Sequence, residues 1–416
     1  MRTRLKATAD KEGKVTLSQL DDGNVYARRE TCRACGHLGL EPVLSLGNQY
    51  LVGFVPEVDL NLPRAPLDLC RCGKCGLLQL GHTVSRDLLY REFWYRSSVN
   101  QTMRDALTDL MRSAEKYATE GTWLDIGAND GFLLSKVPSN FKKIACEPAL
   151  NFADDLDKIA DVSIMDYFSA DPDCLRDNRK GLCDVITSAA MFYDLDEPLE
   201  FVTDIADCLA VGGVWINQLN DAPTMLKRNA FDAVCHEHLC YYDLHSLKAL
   251  YARASLSIVD ITFNEVNGGS VRVFAQKESR HWAMPLRGIP AVTAEDCTRF
   301  ANRVEKWRSR MLDTIQSWTG KTWLYGASTK GCCLLQYLDA NGAFIGIADR
   351  NPAKFGLRMA GSWLPIMPED EMRAERPKYL VCLPWAFRDE FMVRERELLD
   401  AGTTFVFPLP NIELAL

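Results

Sequence analysis

Residues Trp123 to Val137 read WLDIGANDGFLLSKV. A short apolar run ends in Asp125, Gly127 and Gly131 bracket a tight loop, and Phe132-Leu133-Leu134 begins a helix. Apolar strand, glycine loop and helix start make a nucleotide-type site at the carboxyl end of a parallel strand. The spacing is G-x-x-x-G, not the G-x-G-x-x-G of most dinucleotide enzymes. A second acidic residue, Glu147, follows the next strand-like run, KKIACEP. Acids at both places suit a cofactor with a ribose and a cationic amino-acid tail better than one with a pyrophosphate. S-adenosylmethionine (SAM) fits, with Asp125, Gly127, Asn129, Asp130, Gly131 and Glu147 as candidate contacts. The competing reading is an ordinary strand-to-helix turn of an α/β domain.

The 416 residues allow two or three domains, and 47% hydrophobic with 25% charged residues is a globular composition. A net charge of −8 argues against a general nucleic-acid binder. No apolar run approaches the roughly 20 residues of a membrane span. The opening MRTRLKATADKEGKV has basic residues but no apolar core behind them, so a polar leader over 1–25 is expected rather than a secretory signal. The 15 cysteines are scattered, many inside apolar runs, which predicts a reducing, cytoplasmic setting with buried thiols.

Cys32-Arg-Ala-Cys35-Gly and Cys72-Gly-Lys-Cys75-Gly are two knuckles in which glycine lets the chain turn so that backbone N–H groups face the sulfurs. Four thiolates make a closed tetrahedral set for structural zinc. Cys70 could exchange roles with Cys72, but only Cys72 completes a C-x-x-C. A stretch dense in aromatic and hydroxyl groups follows, Phe93 to Asn100, with Tyr95, Ser97 and Ser98 placed either to cover a ligand or to staple two domains. The helix from about Gln101 should bury Met103, Leu107, Leu110 and Met111.

From Gly121 strand-like runs alternate with helices: WLDIG, KIACE, ADVSIMD, CDVITSAAM, VWINQLN, then LSIVDITFN and VRVFAQK around an NGG turn. That pattern predicts a parallel, doubly wound α/β sheet ending in an antiparallel hairpin. Asp166, after the third run, stands where an adenine amino group would be met. An insertion between two strands contains Cys235-His236-Glu237-His238 and His245. His238 or Glu237 could act as a general base. A metal site on Cys235 and the two histidines, and plain loop polarity, remain as alternatives, because histidines two apart diverge on a helix and share a face on a strand.

Residues 281–310 predict a linker and an amphipathic helix ending near Trp318. A second α/β unit then begins, with strand, glycine turn and helix in TWLYGASTKGCCLLQYL and Asp349 ending the next strand. Gly326 to Gly331, with a hydroxyl pair and Lys330, resembles a phosphate-cradling turn, although it is not a P-loop.

In this order the motifs resemble the SAM-dependent sugar C-methyltransferases of bacterial deoxysugar biosynthesis. They are the two knuckles with CGLLQL, LDIGANDG, Glu147-Pro148, the H-E-H segment, NGGS at Asn267 to Ser270, and YGASTKG…DRNPAKFG…LPW. The resemblance implies a zinc-binding module (26–95), a class I methyltransferase core (96–280) and a Rossmann-like carboxyl-terminal domain (281–416). The substrate it implies is a nucleoside-diphosphate (NDP) 4-keto-6-deoxy sugar lying between the last two, methylated at C3 through an enolate. By the same resemblance His238 is the base, with Glu237, Tyr95 and Cys235 beside the reacting sugar. His236, Asn267, Gly268, Gly269 and Lys330 are the candidates for substrate binding. Two departures bear on the sugar: Cys235 stands where relatives often have tyrosine, and roughly Tyr193-Asp194 where they often have histidine. The rival expectations are an N- or O-methyltransferase of another metabolite, and a non-catalytic scaffold. A monomer is expected.

Overall fold

The opening stretch forms the strand Gly121–Ile126, third of seven in its sheet. The computed structural model describes residues 7–9, 15–17, 25–51, 53–90, 95–169, 183–277 and 284–416. Edge to edge, the sheet runs Val162–Ile164, Phe141–Cys146, Gly121–Ile126, Cys183–Ala189, Leu209–Asn220, Ser270–Lys277, Leu256–Asn264. The first five are parallel, and Ser270–Lys277 is antiparallel to both neighbours. All seven runs expected from the sequence are present, including the hairpin. Two indoles fix the register from inside: Trp123 donates Nε1–H to Thr187 at 3.0 Å, and Trp215 donates to Ser188 at 2.9 Å. Each buried N–H thus finds its partner on an adjacent strand, which a slip of one residue would break.

The helix Gln101–Ser113 is capped by Asn100, whose side chain accepts from Thr102 N–H at 3.0 Å. It buries Met103, Leu107, Leu110 and Met111, as its period predicts. Each such side chain stabilises by about 1.5–3 kcal/mol.

The amino-terminal module is a four-stranded sheet in the order Cys240–Tyr241, Leu78–Leu80, Arg64–Cys72, Leu40–Tyr50. Its edge strand comes from the H-E-H insertion: Cys240 pairs with Gln79 and Tyr241 with Leu78. The insertion is therefore a strand donated by the methyltransferase core to the cysteine module, not a loop of the core. Arg33 completes the joint. Its buried guanidinium donates to the Leu80 carbonyl at 2.5 Å and to Asp196 at 3.0 Å. Within the expected polar leader, Ala7–Ala9 and Val15–Leu17 pair as antiparallel strands.

The helix Ala294–Gln316 starts at a Thr293–Asp296 capping box and leads to the second unit. Its six-stranded sheet runs Ile366–Pro368, Ile347–Asp349, Thr322–Tyr325, Tyr379–Cys382, Thr404–Phe407, Glu413–Ala415, antiparallel only at the last pair. Among the described residues no helix is long and apolar enough to cross a membrane.

Candidate functional site

Glycine builds each cysteine knuckle. Gly36 and Gly76 adopt φ of 70° and 78° and return their N–H groups to the carbonyls of Cys32 (2.8 Å) and Cys72 (3.0 Å). Among the described residues the four thiols Cys32, Cys35, Cys72 and Cys75 form the one cluster that could hold a metal, all ligand atoms lying within 4.8 Å of one another. Cys32–Cys75 and Cys35–Cys72 sulfur separations are 3.5 and 3.7 Å. A tetrahedron with Zn–S bonds of about 2.3 Å has edges of about 3.8 Å, so the set fits zinc. Cys70 lies outside it, packed beside Gly81 on the strand Arg64–Cys72. The H-E-H segment forms no metal cluster, because its histidines turn apart, as described below.

A cleft of about 1730 Å³ runs between the two α/β sheets. Its methyltransferase wall is the opening stretch. Gly127 adopts φ of 71°, and a Cβ there would lie 3.1 Å from Met191, so the loop leaves a cradle that only glycine keeps open. Glu147 shapes the loop, accepting Asn129 N–H on one oxygen and Ala149 N–H on the other, both at 2.8 Å. Asp125 accepts from Thr187 at 2.6 Å, and burial raises its carboxyl to about pKa 7. Two carboxyls around a glycine cradle suit the hydroxyls and ammonium of a nucleoside with an amino-acid tail. Asn129 and Asp130 instead latch the hydroxyl-rich turn across the loop. Asn129 Oδ1 accepts Ser97 N–H and Oγ–H at 3.0 and 3.1 Å, and Asp130 Oδ2 accepts Ser98 N–H and Oγ–H at 3.0 and 2.6 Å.

The far wall is the H-E-H turn. His236 faces the cysteine module, Nε2 on the Ala65 carbonyl at 3.0 Å, and burial lowers its pKa to about 4. His238 turns the other way. Its Nδ1 lies 2.8 Å from the Ala233 carbonyl and its ring meets Tyr193 edge-on at 4.4 Å. A carbonyl can only accept, so Nδ1 carries the proton and the neutral ring keeps its lone pair on Nε2. Burial and the nearby Lys330 ammonium lower His238 to about pKa 3. Glu237 accepts from Thr329 at 3.4 Å, has one oxygen without a partner, and is raised by burial to about pKa 7. Lys330, from the second glycine turn, donates to the Asn267 carbonyl at 3.3 Å.

The cleft brings together Tyr95, Asp125, Gly127, Asn129, Glu147, Asp166, His236, Glu237, His238, Asn267 and Lys330. Five sequence candidates do not line it. Asp130 serves the latch just described. Gly131, at φ 75°, caps the helix Phe132–Lys136 and abuts Ile159. Cys235 is fully buried behind Glu237. Gly268 and Gly269 are packing residues, where a Cβ would lie 2.8 Å from the Trp385 indole and 2.4 Å from Thr224. Residues 93 and 94 of the aromatic stretch lie outside the described residues. Thr329, of the hydroxyl pair in the Gly326–Gly331 turn, lines the cleft too, whereas sequence reasoning missed Tyr90 and Asp232 and singled out Lys354 only as part of DRNPAKFG. No motif flags Tyr90 or Asp232, which reach the cleft from two separate segments, the helix Arg86–Tyr90 and the turn Phe231–Ala233.

Three family models match in succession: a zinc binding domain over 32–90, a methyltransferase domain over 95–261, and a C-methyltransferase C-terminal domain over 265–410. The C-methyltransferase NovU of Streptomyces niveus is 28% identical over 405 residues, 92% of this chain and 96% of that protein. Solved structures overlap less of the chain. A SAM-dependent methyltransferase from Leishmania major shares 11% identity at a TM-score of 0.34 over 42% of this chain and 73% of its own. The N-methyltransferase NodS of Bradyrhizobium japonicum shares 14% at 0.34 over 44% and 92%. The cysteine cluster, the glycine cradle and the H-E-H wall thus stand in one molecule whose three segments match, in order, a zinc binding domain, a methyltransferase domain and a C-methyltransferase C-terminal domain, and which is similar over 92% of its length to a C-methyltransferase.

Proposed function

We propose that the substrate is a nucleoside-diphosphate 4-keto-6-deoxy sugar and that its C3 is the methylated carbon. The observation that carries this reading is the fixed tautomer of His238, which leaves an imidazole lone pair in the cleft between the methyl-donor cradle and the Lys330 turn. Carbon is a poor nucleophile unless it is α to a carbonyl. There a base takes the proton, the C–H electrons become the enolate, and negative charge collects on the carbonyl oxygen. Bound SAM supplies an electrophilic methyl group, and Asp125, Glu147 and the Gly127 loop are the residues that would hold it.

The low pKa of His238 has a local remedy. Lys330 contributes to it, and a diphosphate on Lys330 would cancel that charge and raise the basicity of the imidazole as substrate binds. Lys354, which donates to the Ala327 carbonyl at 2.7 Å, brings a second ammonium to the same wall. A second reading makes Glu237 the base, because its carboxyl sits near pKa 7 with one oxygen free of protein partners. The test of the substrate is a turnover panel of keto and non-keto sugar nucleotides with methyl-labelled SAM. NMR then locates the new methyl group. A methyl on C3 of a 4-keto sugar supports the proposal, and a methyl on oxygen or nitrogen overturns it.

A further inference from the structure

Asp194 and Glu237 both line the cleft, and the Glu237 charge acts on the Asp194 carboxyl. Asp194 ends the turn Phe192–Asp194 after the strand Cys183–Ala189. Leu239 N–H donates to the Tyr193 carbonyl at 2.9 Å, which stitches that turn to the segment carrying Glu237 and His238. Tyr90 closes the third side, its hydroxyl donating to the Glu237 carbonyl at 2.7 Å. Each carboxyl keeps one buried oxygen, Asp194 Oδ1 and Glu237 Oε2, without a hydrogen-bond partner.

The groups acting on Asp194 are Glu237 from the H-E-H turn and Tyr90 from the helix Arg86–Tyr90. Tyr193 and Cys235 complete the cluster around it. Lys330 acts on Asp232, Cys235 and His238. Burial, reinforced by Glu237, pushes the Asp194 carboxyl well above the usual range. Two neighbouring desolvated carboxyls that share no ion pair among the described residues cannot both ionise cheaply, so one holds a proton. Tyr90 is hydrogen-bonded to the Asp194 carboxyl, and Oδ1 is left without a partner, so a proton on that oxygen is a donor for a ligand oxygen.

We propose that Asp194 is a catalytic residue whose protonated carboxyl donates a hydrogen bond to the carbonyl oxygen of the substrate and holds the charge that gathers there when the α-carbon is deprotonated. This rests on the keto-substrate reading above. The proton stays on Asp194 throughout, and the proton taken from carbon goes to the base. Tyr95, the donor expected from the sequence, is 45% exposed as a residue, but burial around its hydroxyl pushes its pKa up. Asp194 is set apart by an oxygen without a hydrogen-bond partner on the wall that carries Glu237 and His238, and preorganised donors act most strongly where water is excluded.

The test uses the full chain as wild type, Asp194→Asn and Asp194→Ala. It reads deuterium uptake from D₂O at the α-carbon of a nucleotide-linked 4-keto sugar without SAM, and kcat and KM for methyl transfer. Asp194→Ala should lower exchange and kcat by about 10²–10³-fold, with the larger loss in kcat rather than KM. Asp194→Asn keeps an N–H donor and should retain most of both. Wild type should lose rate at alkaline pH as the carboxyl ionises, and Asp194→Asn should lack that contribution. SAM affinity and zinc content report folding. If Asp194→Ala does not fold, the Asn variant and the two pH profiles decide. An Ala variant as fast as wild type overturns the proposal. So does an Asn variant as impaired as Ala, which would mean that a carboxylate charge is needed, as for an ammonium group. Failure of the substrate reading looks different: wild type itself would then exchange no α-proton.

Discussion

His238 gives its Nδ1–H to the backbone carbonyl of Ala233 at 2.8 Å, and this one bond decides which face of the ring can act as a base. The carbonyl belongs to the same turn as the imidazole, so orientation and tautomer do not depend on a distant element. His238→Asn removes the lone pair while leaving the SAM cradle untouched. Methyl transfer should fall by about 10²–10⁴-fold, with SAM affinity by calorimetry within a few-fold of wild type. If the variant keeps its rate and Glu237→Gln loses it, Glu237 is the base.

Glu237 also links the site to stability. Its folded pKa of about 7 lies above the 4.5 of an unperturbed glutamate. The folded state therefore binds the proton more tightly. Its contribution is fully present below pH 4.5 and is lost as pH rises through 7. Glu237→Gln does not titrate, so its stability relative to wild type should grow across that window, by up to about 3 kcal/mol. Urea midpoints at pH 5 and pH 8 measure it. A difference that is constant or shrinks with pH contradicts the burial argument.

The cysteine cluster should matter to catalysis through the strand it anchors. Cys72 ends the strand Arg64–Cys72, which pairs with Leu78–Leu80, which in turn pairs with Cys240–Tyr241 just after His238. Cys72→Ser, or chelation, should release one zinc per chain by atomic absorption and lower kcat. Hydrogen exchange should rise first at Cys240 and Tyr241, before the methyltransferase sheet opens. Full activity in the zinc-free protein contradicts this coupling.

Gly268 is a joint between domains rather than a ligand contact. Its φ is 91°, and its missing side chain is replaced by the Trp385 indole, which donates to Asp232 at 2.8 Å. Gly268→Ala combines backbone strain with a clash and should cost about 1–3 kcal/mol. Thermal melting should report this loss. A variant with unchanged melting and only a raised KM would restore the sequence-based reading of Gly268 as a substrate residue.

The sheet, the hairpin and the cysteine knuckles were legible because each is written in local chemistry. Examples are the seven apolar runs, the NGG turn and the glycine after each C-x-x-C. The H-E-H geometry was not. Whether its histidines share a face depends on Cys240–Tyr241 joining another module's sheet, and no periodicity in the segment announces that. The glycines misled for a related reason. Gly127 opens a cradle, whereas Gly131, Gly268 and Gly269 make room for Ile159, Trp385 and Thr224. Those neighbours are distant in sequence for two of the three. Asp194 was visible only as a departure from relatives, because its partner Glu237 reaches it through tertiary contact.

The most direct measurement is proton exchange without methyl donor. The full-length protein is incubated in D₂O with a nucleoside-diphosphate 4-keto-6-deoxy sugar and no SAM, and the C3 proton signal is followed by NMR. The account predicts loss of that signal in wild type and its persistence in His238→Asn. Retention of the C3 proton in wild type, while methyl transfer to the same sugar proceeds once SAM is added, would contradict enolate formation by a base in this cleft.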